Sequence, residues 1–457
     1  MKIFGHYVYS PIAALAAAEF AVAAGSLAFA SVFVGGHDPR EGGVLASSIA
    51  FALAILGGLT AMGLYQTKQR LRIEGVLARI LVGVGLAAVL LALVNFFFEL
   101  EIERRLWVAT FVLAAILLGI VRVVFWRWVE EQEMFQRHVL VYGAGKLAGS
   151  LLKLRRRSDR RGFSIVAFVR ADGDERSFED PRVVRIHTSL LDYALGAGVD
   201  EIVVAMDDRR GGFPIADLLA CRFAGIAVVE LLEFLERETG KVSVDVLNPS
   251  WLIFSEAPRV PTLRRLVTRI IDLAVAVPML VIALPFMVCI AAAILLDDGA
   301  PVFYRQTRVG YMGRSFTLYK FRSMVKDAEA SGNPLWAAKR DSRVTRVGAL
   351  LRKLRCDELP QLFNVITGTM SLVGPRPERP QFVERLSKEI PYYHERHVVK
   401  PGITGWAQLS YPYGASDQDA VEKLQYDLYY IKNKSLIFDL MVLLQTAEVV
   451  LWGKGAR

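Results

Sequence analysis

The sequence predicts a membrane protein of mixed class, α plus α/β: four transmembrane helices, a parallel-sheet domain in the middle, and a mainly α C-terminal domain preceded by a re-entrant membrane helix hairpin. Three observations predict it. Of the 457 residues 53% are hydrophobic, too many for a typical soluble chain. The first 130 residues hold four long apolar runs, whereas beyond residue 135 short β-rich runs alternate with helical ones. A fifth apolar stretch, interrupted by prolines, then precedes a strongly basic segment.

The four runs, about 12–34, 44–65, 76–98 and 106–128, each have the roughly 22 residues that an α-helix needs to cross a bilayer. Helices of a soluble bundle would be polar along one side, and these are not. The first run lacks a basic leader and exceeds the core of a signal peptide, so it is read as a retained span. Lys68, Arg70, Arg72 and Arg79 make one connection basic and therefore cytoplasmic. The loop 35–43 has one arginine against two acids, and that near Glu99, Glu101 and Glu103 also holds Arg104 and Arg105. Four crossings return the chain to the cytoplasm. Three scattered cysteines, Cys221, Cys289 and Cys356, suggest neither a disulfide framework nor a zinc site.

Residues 135–250 form the second domain. Strands are expected at 138–142, 163–169, 201–206 and 226–230, a βαβ series. Gly143, Gly145 and Ala148 fit G-x-G-x-x-G/A between a strand and a helix, the candidate nucleotide-binding turn of a Rossmann-like domain, with Asp172 at a loosely suitable distance. Such a turn also serves tight packing, and no Tyr-x-x-x-Lys pair lies downstream. The domain is therefore read as structural or regulatory, and NAD(P) is not expected.

Residues 262–299 contain a nearly uncharged stretch, Ile270 to Leu296, long enough to span, yet Pro278 and Pro285 each remove a backbone donor. Between Pro301 and Cys356 there are 13 basic residues against 3 acidic ones, the opposite of an exported segment. A helix broken at Pro285 that dips into the membrane and returns satisfies both facts.

The final domain, 300–457, carries the chemistry. The net +10 of residues 301–356 exceeds the whole chain's +9, so an anion binds there. Arg308 in "QTRVG", Lys320 and Arg322 in "YKFRSM", Arg346 in "DSRVTRVG" and Arg352 are candidate phosphate contacts. Nucleic acid is not expected, because no recognition helix or RNP-type aromatic signature is present. In "DELPQLFNV" Pro360 opens a helix and puts Asp357 at or near its N-cap, where the helix dipole and nearby cations would keep it ionised. One of the pair Asp357 and Glu358 can attack while the other holds a magnesium ion; alone, the pair would be a plain helix cap. "MSLVGPRPE" sets Arg376 in a stiff proline-framed turn, and "KPGITGWAQL" and "YDLYYIKNKSLIFDL" complete the array.

From about Arg264 onward these motifs resemble the polyprenyl-phosphate hexose-1-phosphate transferases, the monotopic phosphoglycosyl transferase superfamily. The resemblance covers about 190 residues: the proline-broken hairpin, "YKFRSM", "DELPQLFNVITGTMSLVGPRP", "KPGITGWAQ", and "YD" with its downstream "FDL". The preceding domains are similar to the large, exopolysaccharide-initiating arrangement. Small relatives often have Ser-Pro at the hairpin break, where this chain has Leu284-Pro285.

The resemblance implies that Asp357 attacks a UDP-sugar, expels UMP and passes the sugar phosphate to polyprenyl phosphate. It implies Glu358, with Asp357, as magnesium ligand (manganese as alternative), Lys320 and Arg376 as phosphate holders, Arg352 as support, and Asp427 as aid to metal or proton traffic. It also implies a bacterial inner membrane location with the catalytic domain cytoplasmic, later glycosyltransferases as pathway partners, and a homo-oligomer as an open option. Asp439 is read as structural, and His394 and His397 as packing rather than metal-binding. The C-terminal apolar helix is read as lying on the membrane with Trp452 at the headgroups. Two competing readings are a membrane-anchored Rossmann oxidoreductase or epimerase and a non-catalytic assembly platform.

Overall fold

The computed structural model describes residues 10–32, 42–65, 73–98, 104–125, 136–154, 162–171, 178–209, 212–247, 262–326, 343–411 and 416–451, with a few isolated positions besides. The chain divides into two compact units, one chiefly Tyr7–Leu59 with Leu64–Pro249, the other chiefly Ser250–Arg457.

The first unit opens with four apolar helices, α1 (Ser10–Ala30), α2 (Gly42–Ala61), α3 (Ile73–Phe98) and α4 (Arg104–Phe125). They are the helices of a membrane protein. Apolar stretches of 18 residues or more run through α1, α3 and α4, while that of α2 has 17, Leu45–Ala61. A Cβ placed on Gly58 of α2 would stand 2.1 Å from the carbonyl oxygen of Gly83 in α3, so these helices meet backbone to backbone. Lipid tails compete equally for apolar side chains, and close backbone approach is what remains to hold such helices together. Glu19, buried in α1, accepts hydrogen bonds from Arg122 of α4 (Nε at 2.5 Å, NH2 at 2.9 Å) and from the Tyr65 hydroxyl. Charges at such depth persist only when paired. Arg79, counted with the basic connection, lies inside α3 and is buried. Lys68, Arg70, Arg72, residues 35–41, Glu99, Glu101, Glu103 and Asp172 lie outside the described residues.

The same unit holds a parallel sheet: β1 (Arg137–Tyr142), α5 (Lys146–Leu152), β2 (Phe163–Val169), β3 (Val183–Val184), α6 (Leu190–Gly196), β4 (Glu201–Val204), α7 (Ile215–Phe223), β5 (Ala227–Glu230) and α8 (Leu231–Thr239). Its order is β3-β2-β1-β4-β5, every neighbour parallel. Four of its strands fall where the apolar runs put them; two-residue β3 is too short to leave a pattern. Alternate residues serve opposite faces: Leu140, Ile202 and Val204 pack toward α6 and α7, and Val139, Val141 and Val203 toward α5 and α8. Sheets buried on both sides need such unbroken apolar strands.

The second unit begins with α9 (Thr262–Asp298), helical throughout its 37 residues. The expected break at Pro285 is therefore not a gap in the helix, because a proline deletes one donor while the turns on either side stay bonded. Both ends of α9 are tied to the remainder of its own unit. Arg269 donates to the carbonyls of Val365 and Ile366, and Asp272 accepts from the Ser371 hydroxyl and the Leu372 amide. At the far end Asp297 accepts from the Val347 amide, and Arg322 donates to the carbonyls of Asp298 and Gly299. Between these anchors Ile282, Leu284, Phe286 and Val288 expose more than half of their surface.

The rest comprises an antiparallel hairpin, β6 (Phe303–Val309) and β7 (Ser315–Phe321), then α10 (Arg346–Leu354), α11 (Gln361–Thr367), β8 (Ser371–Val373), α12 (Pro380–Glu389), β9 (Gly402–Thr404), α13 (Trp406–Ser410), α14 (Asp417–Asn433) and α15 (Leu436–Leu451). The region expected to be mainly α thus carries two small sheets as well, the hairpin and the parallel pair β8–β9. Phe438 and Val442 of α15 are buried, with Phe438 against Trp406, Tyr429 and Tyr430. Trp452 lies outside the described residues.

Candidate active site

Two turns and one strand assemble the site. Helix α10 starts with Thr345, whose side chain accepts from the Gly348 amide at 2.9 Å. It ends at Arg355, held in the left-handed region (φ 56°, ψ 20°). A non-glycine residue there is strained, and the strain turns the chain sharply. A single 3₁₀ turn, Cys356–Glu358, then leads to α11, which opens behind Pro360. Pro360 occupies the N-cap, so Asp357 does not cap the helix as expected but stands in the turn before it. Successive residues of a 3₁₀ turn point about 120° apart, which separates the two adjacent carboxylates.

Glu358 faces the cations. Its Oε1 accepts from Lys320 Nζ on β7 at 3.0 Å and from Arg376 NH2 at 2.7 Å. Arg376 NH1 also donates to Gln408 Oε1 at 3.1 Å. These bonds hold Glu358 well below the usual carboxylate range despite burial that opposes ionisation, with Arg376 the strongest cause after burial and Lys320 next. Glu358 in turn raises Arg376, and burial lowers Lys320.

Asp357 differs. Among the described residues no hydrogen bond or ion pair holds its carboxylate, and it is only partly exposed. Burial raises its pKa, and the charge of Glu358 adds to the rise; Lys320, Arg376 and Arg352 oppose it. Desolvation of the carboxylate thus works against the cations expected to keep Asp357 ionised, which Glu358 partly neutralises.

The aim of Arg376 comes from glycine. A Cβ on Gly402 would stand 2.1 Å from the Gly374 nitrogen, and one on Gly374 would stand 2.3 Å from the Lys400 carbonyl oxygen. Only bare backbone lets "VGPRP" and "KPGITG" touch, and they do so as β8–β9, extended by Gly374 N donating to Thr404 O and Gly402 N to Pro375 O. Beneath the turn lies Arg396, which donates to the Arg376 carbonyl at 3.1 Å and to the Tyr393 hydroxyl at 2.7 Å, and contacts Asp427 Oδ2 at 2.8 Å.

The site therefore brings together Lys320, Asp357, Glu358, Arg376 and, electrostatically, Arg352. The other candidates sit elsewhere. Arg308 donates to the Pro377 carbonyl at 2.9 Å and to Gln306, so it buttresses the turn carrying Arg376; burial pushes it down to about 10. Arg322 is buried, and its NH2 donates to the Asp298 and Gly299 carbonyls at the end of α9. Arg346 is exposed on the first turn of α10, apart from the cluster. Asp427, buried and raised to about 6 by that burial, touches Arg396 rather than the carboxylates. Asp439 accepts from the Tyr430 hydroxyl at 2.6 Å, and His397 Nδ1 lies 3.2 Å from the His394 carbonyl oxygen. Arg396 and Gln408 were missed by sequence reasoning. Gln408 lay in a motif already singled out, but Arg396 had no signal beyond its place between two histidines.

Among the described residues no three His, Cys, Asp or Glu side chains converge on one point. Magnesium that arrives with substrate phosphates needs only one or two protein carboxylates, a donor set that Asp357 and Glu358 fit.

Residues 263–453 match the family described as bacterial sugar transferase, and residues 60–211 match one described as a CoA-binding domain. The chain is 42% identical over 266 residues to the UDP-N-acetylgalactosamine-undecaprenyl-phosphate N-acetylgalactosaminephosphotransferase of Aeromonas hydrophila, covering 58% of this chain and 62% of that protein. It is 44% identical over 174 residues to the UDP-glucose:undecaprenyl-phosphate glucose-1-phosphate transferase of Xanthomonas campestris pv. campestris, covering 38% and 36%. The Escherichia coli (strain K12) protein of that same name is 30% identical over 411 residues, 86% of this chain and 85% of the relative. The aligned part thus spans less than two thirds of the first two relatives and most of the third.

Proposed function

Because the chain belongs to the bacterial sugar transferase family, we propose that it transfers a sugar-1-phosphate from a UDP-sugar to undecaprenyl phosphate, as its relatives are named for doing. The observation that carries the reading is the contrast between two neighbours: Glu358 accepts from both Lys320 and Arg376, while Asp357 beside it has no hydrogen bond among the described residues and a pKa raised by burial. A carboxylate left unbound and made more basic by burial is a better nucleophile once ionised.

In the first step an Asp357 oxygen bonds to the β-phosphorus of the UDP-sugar while the bond to the bridging oxygen breaks, and UMP leaves with that electron pair. In the second, a phosphate oxygen of undecaprenyl phosphate bonds to the same phosphorus. The bond to Asp357 breaks, which restores the carboxylate and yields an undecaprenyl-diphosphate sugar. Neither step requires a net proton. Splitting the transfer avoids bringing two anionic substrates together at once. Lys320 and Arg376, preorganised on Glu358, face the charge that develops on the phosphoryl oxygens. Bound magnesium would supply further neutralisation of the pyrophosphate, held by Asp357 and Glu358.

The lipid acceptor requires the site to lie at the membrane surface, and a re-entrant α9 would put it there. Re-entrance is supported by the anchors at both ends of α9: a straight helix from Arg269 to Asp298 would carry them about 44 Å apart, yet both hold groups of the same unit. The UDP-sugar donor assigns that surface to the cytoplasmic face of the inner membrane.

The test is UMP release from a panel of UDP-sugars by membranes carrying the protein, with undecaprenyl phosphate added. UMP is expected from at least one donor and lost in Asp357→Asn. If no donor gives UMP above the Asp357→Asn background, the reading fails.

A further inference from the structure

The match to a CoA-binding domain and the glycine-rich turn of the parallel sheet both imply a phosphate-bearing cofactor at the start of α5. The turn also lies between β1 and β4, where strand order reverses and nucleotides are bound in sheets of this kind. Its residues do not fit such a ligand. A diphosphate would be held by the backbone amides of this turn, and the chain has already engaged those of Gly143, Ala144, Lys146 and Leu147. Gly143 N donates to the Val169 carbonyl at 2.8 Å. Ala144 N donates to Asp174 Oδ2 at 2.7 Å. Lys146 N and Leu147 N donate to Asp207 Oδ2 and Oδ1, both at 2.8 Å, so one carboxylate spans the start of α5 as a phosphate would.

The small residues of the motif are explained by the same internal contacts. A Cβ on Gly145 would stand 1.9 Å from Asp207 Oδ2, although the Gly145 backbone (φ −93°) is one that any residue adopts. The three atoms nearest to such a Cβ all belong to that carboxylate. Gly143, at φ +130°, faces the Ala205 carbonyl, and Ala148 is fully buried in the sheet core.

We infer that this turn is a self-sealed anion site: Asp207 occupies the phosphate position from within, so the domain takes neither CoA nor a nicotinamide dinucleotide there. The carboxylate instead pins the end of β4 to the start of α5. Two negative side chains, Asp174 and Asp207, would also repel an incoming diphosphate.

The test uses the full chain in detergent or nanodiscs. Isothermal titration with CoA, NAD and ADP is expected to show no saturable binding at millimolar ligand, and stoichiometric CoA binding that weakens in Asp207→Ala would overturn the inference. A second readout is coupling between sites, followed by melting temperature in Gly145→Ala, Asp207→Ala and the double variant. Gly145→Ala is expected to lower the melting temperature by several degrees with Asp207 present and by far less in the Asp207→Ala background. Sulfate is expected to raise the melting temperature of Asp207→Ala by more than its general salt effect raises that of the wild type. Strictly additive effects of the two substitutions, or equal sulfate responses, would contradict an internal carboxylate in the phosphate position.

Discussion

Replacing Glu358 by Gln keeps the size of the side chain and removes the charge on which Lys320 and Arg376 converge. In the native site Oε1 accepts two charge-assisted bonds, at 2.7 and 3.0 Å, from Arg376, whose side chain is 42% exposed, and from Lys320, whose side chain is 18% exposed. Such bonds contribute about 1.5–3 kcal/mol each, and deleting one partner of a buried ion pair costs about 3–5 kcal/mol because the other charge is left uncompensated. An amide oxygen can still accept, and water screens the half-exposed Arg376, so the expected loss falls below that range, at about 2 kcal/mol. For a unit of this size that lowers the melting temperature by roughly 4–8 °C. The same misplacement at the transition state would slow UMP release by about 30-fold. A third effect separates chemistry from folding. Glu358 raises Asp357 by repulsion, and its removal also frees Lys320 and Arg376 to stabilise the Asp357 anion. The acid limb of the pH–rate profile should therefore move to lower pH in Glu358→Gln. Melting temperature and UMP release both unchanged, or an acid limb displaced upward, would refute the arrangement.

Gly402→Ala places a methyl 2.1 Å from the Gly374 nitrogen; since backbone cannot yield as a side chain can, a loss of about 3 kcal/mol or more is expected, read by denaturant midpoint alongside UMP release. Arg396→Lys keeps the charge against Asp427 but cannot also reach the Arg376 carbonyl and the Tyr393 hydroxyl. UMP release should fall through kcat with folding retained, which melting and kinetics together check. His397 is lowered from 6.5 to about 4, by burial first and then by Arg396. Its folded pKa is below its unfolded one, so its stabilisation is complete above pH 6.5 and is lost as pH falls toward 4, at most about 3 kcal/mol. His397→Phe should flatten that part of the stability–pH curve, measured by thermal melts from pH 7 to 4.

What the sequence disclosed is what local pattern encodes. Strands of the parallel sheet show as apolar runs of four to seven residues because both faces are buried. Lys320, Asp357, Glu358 and Arg376 announce themselves through turn chemistry: a proline after the carboxylates, and prolines on both sides of the arginine. Contacts across long separations were not legible. Nothing local says that Arg322 donates to the end of α9, or that Asp427 pairs with Arg396, because each contact is made with a partner 20 or more residues away. The position of Asp357 was misjudged by one turn for a local reason: Arg355 takes a left-handed conformation that its side chain does not advertise. The G-x-G-x-x-A turn was read correctly as a motif, while its occupant, Asp207, lies about 60 residues further on.

The central claim is that Asp357 bonds to the phosphorus of the donor, and intact-protein mass spectrometry with a turned-over UDP-sugar and no lipid acceptor tests it most directly. The wild type should gain the mass of one sugar phosphate, mapped to Asp357 by peptide sequencing, and lose it when undecaprenyl phosphate is added. An unmodified protein that releases UMP only when the acceptor is present would contradict it.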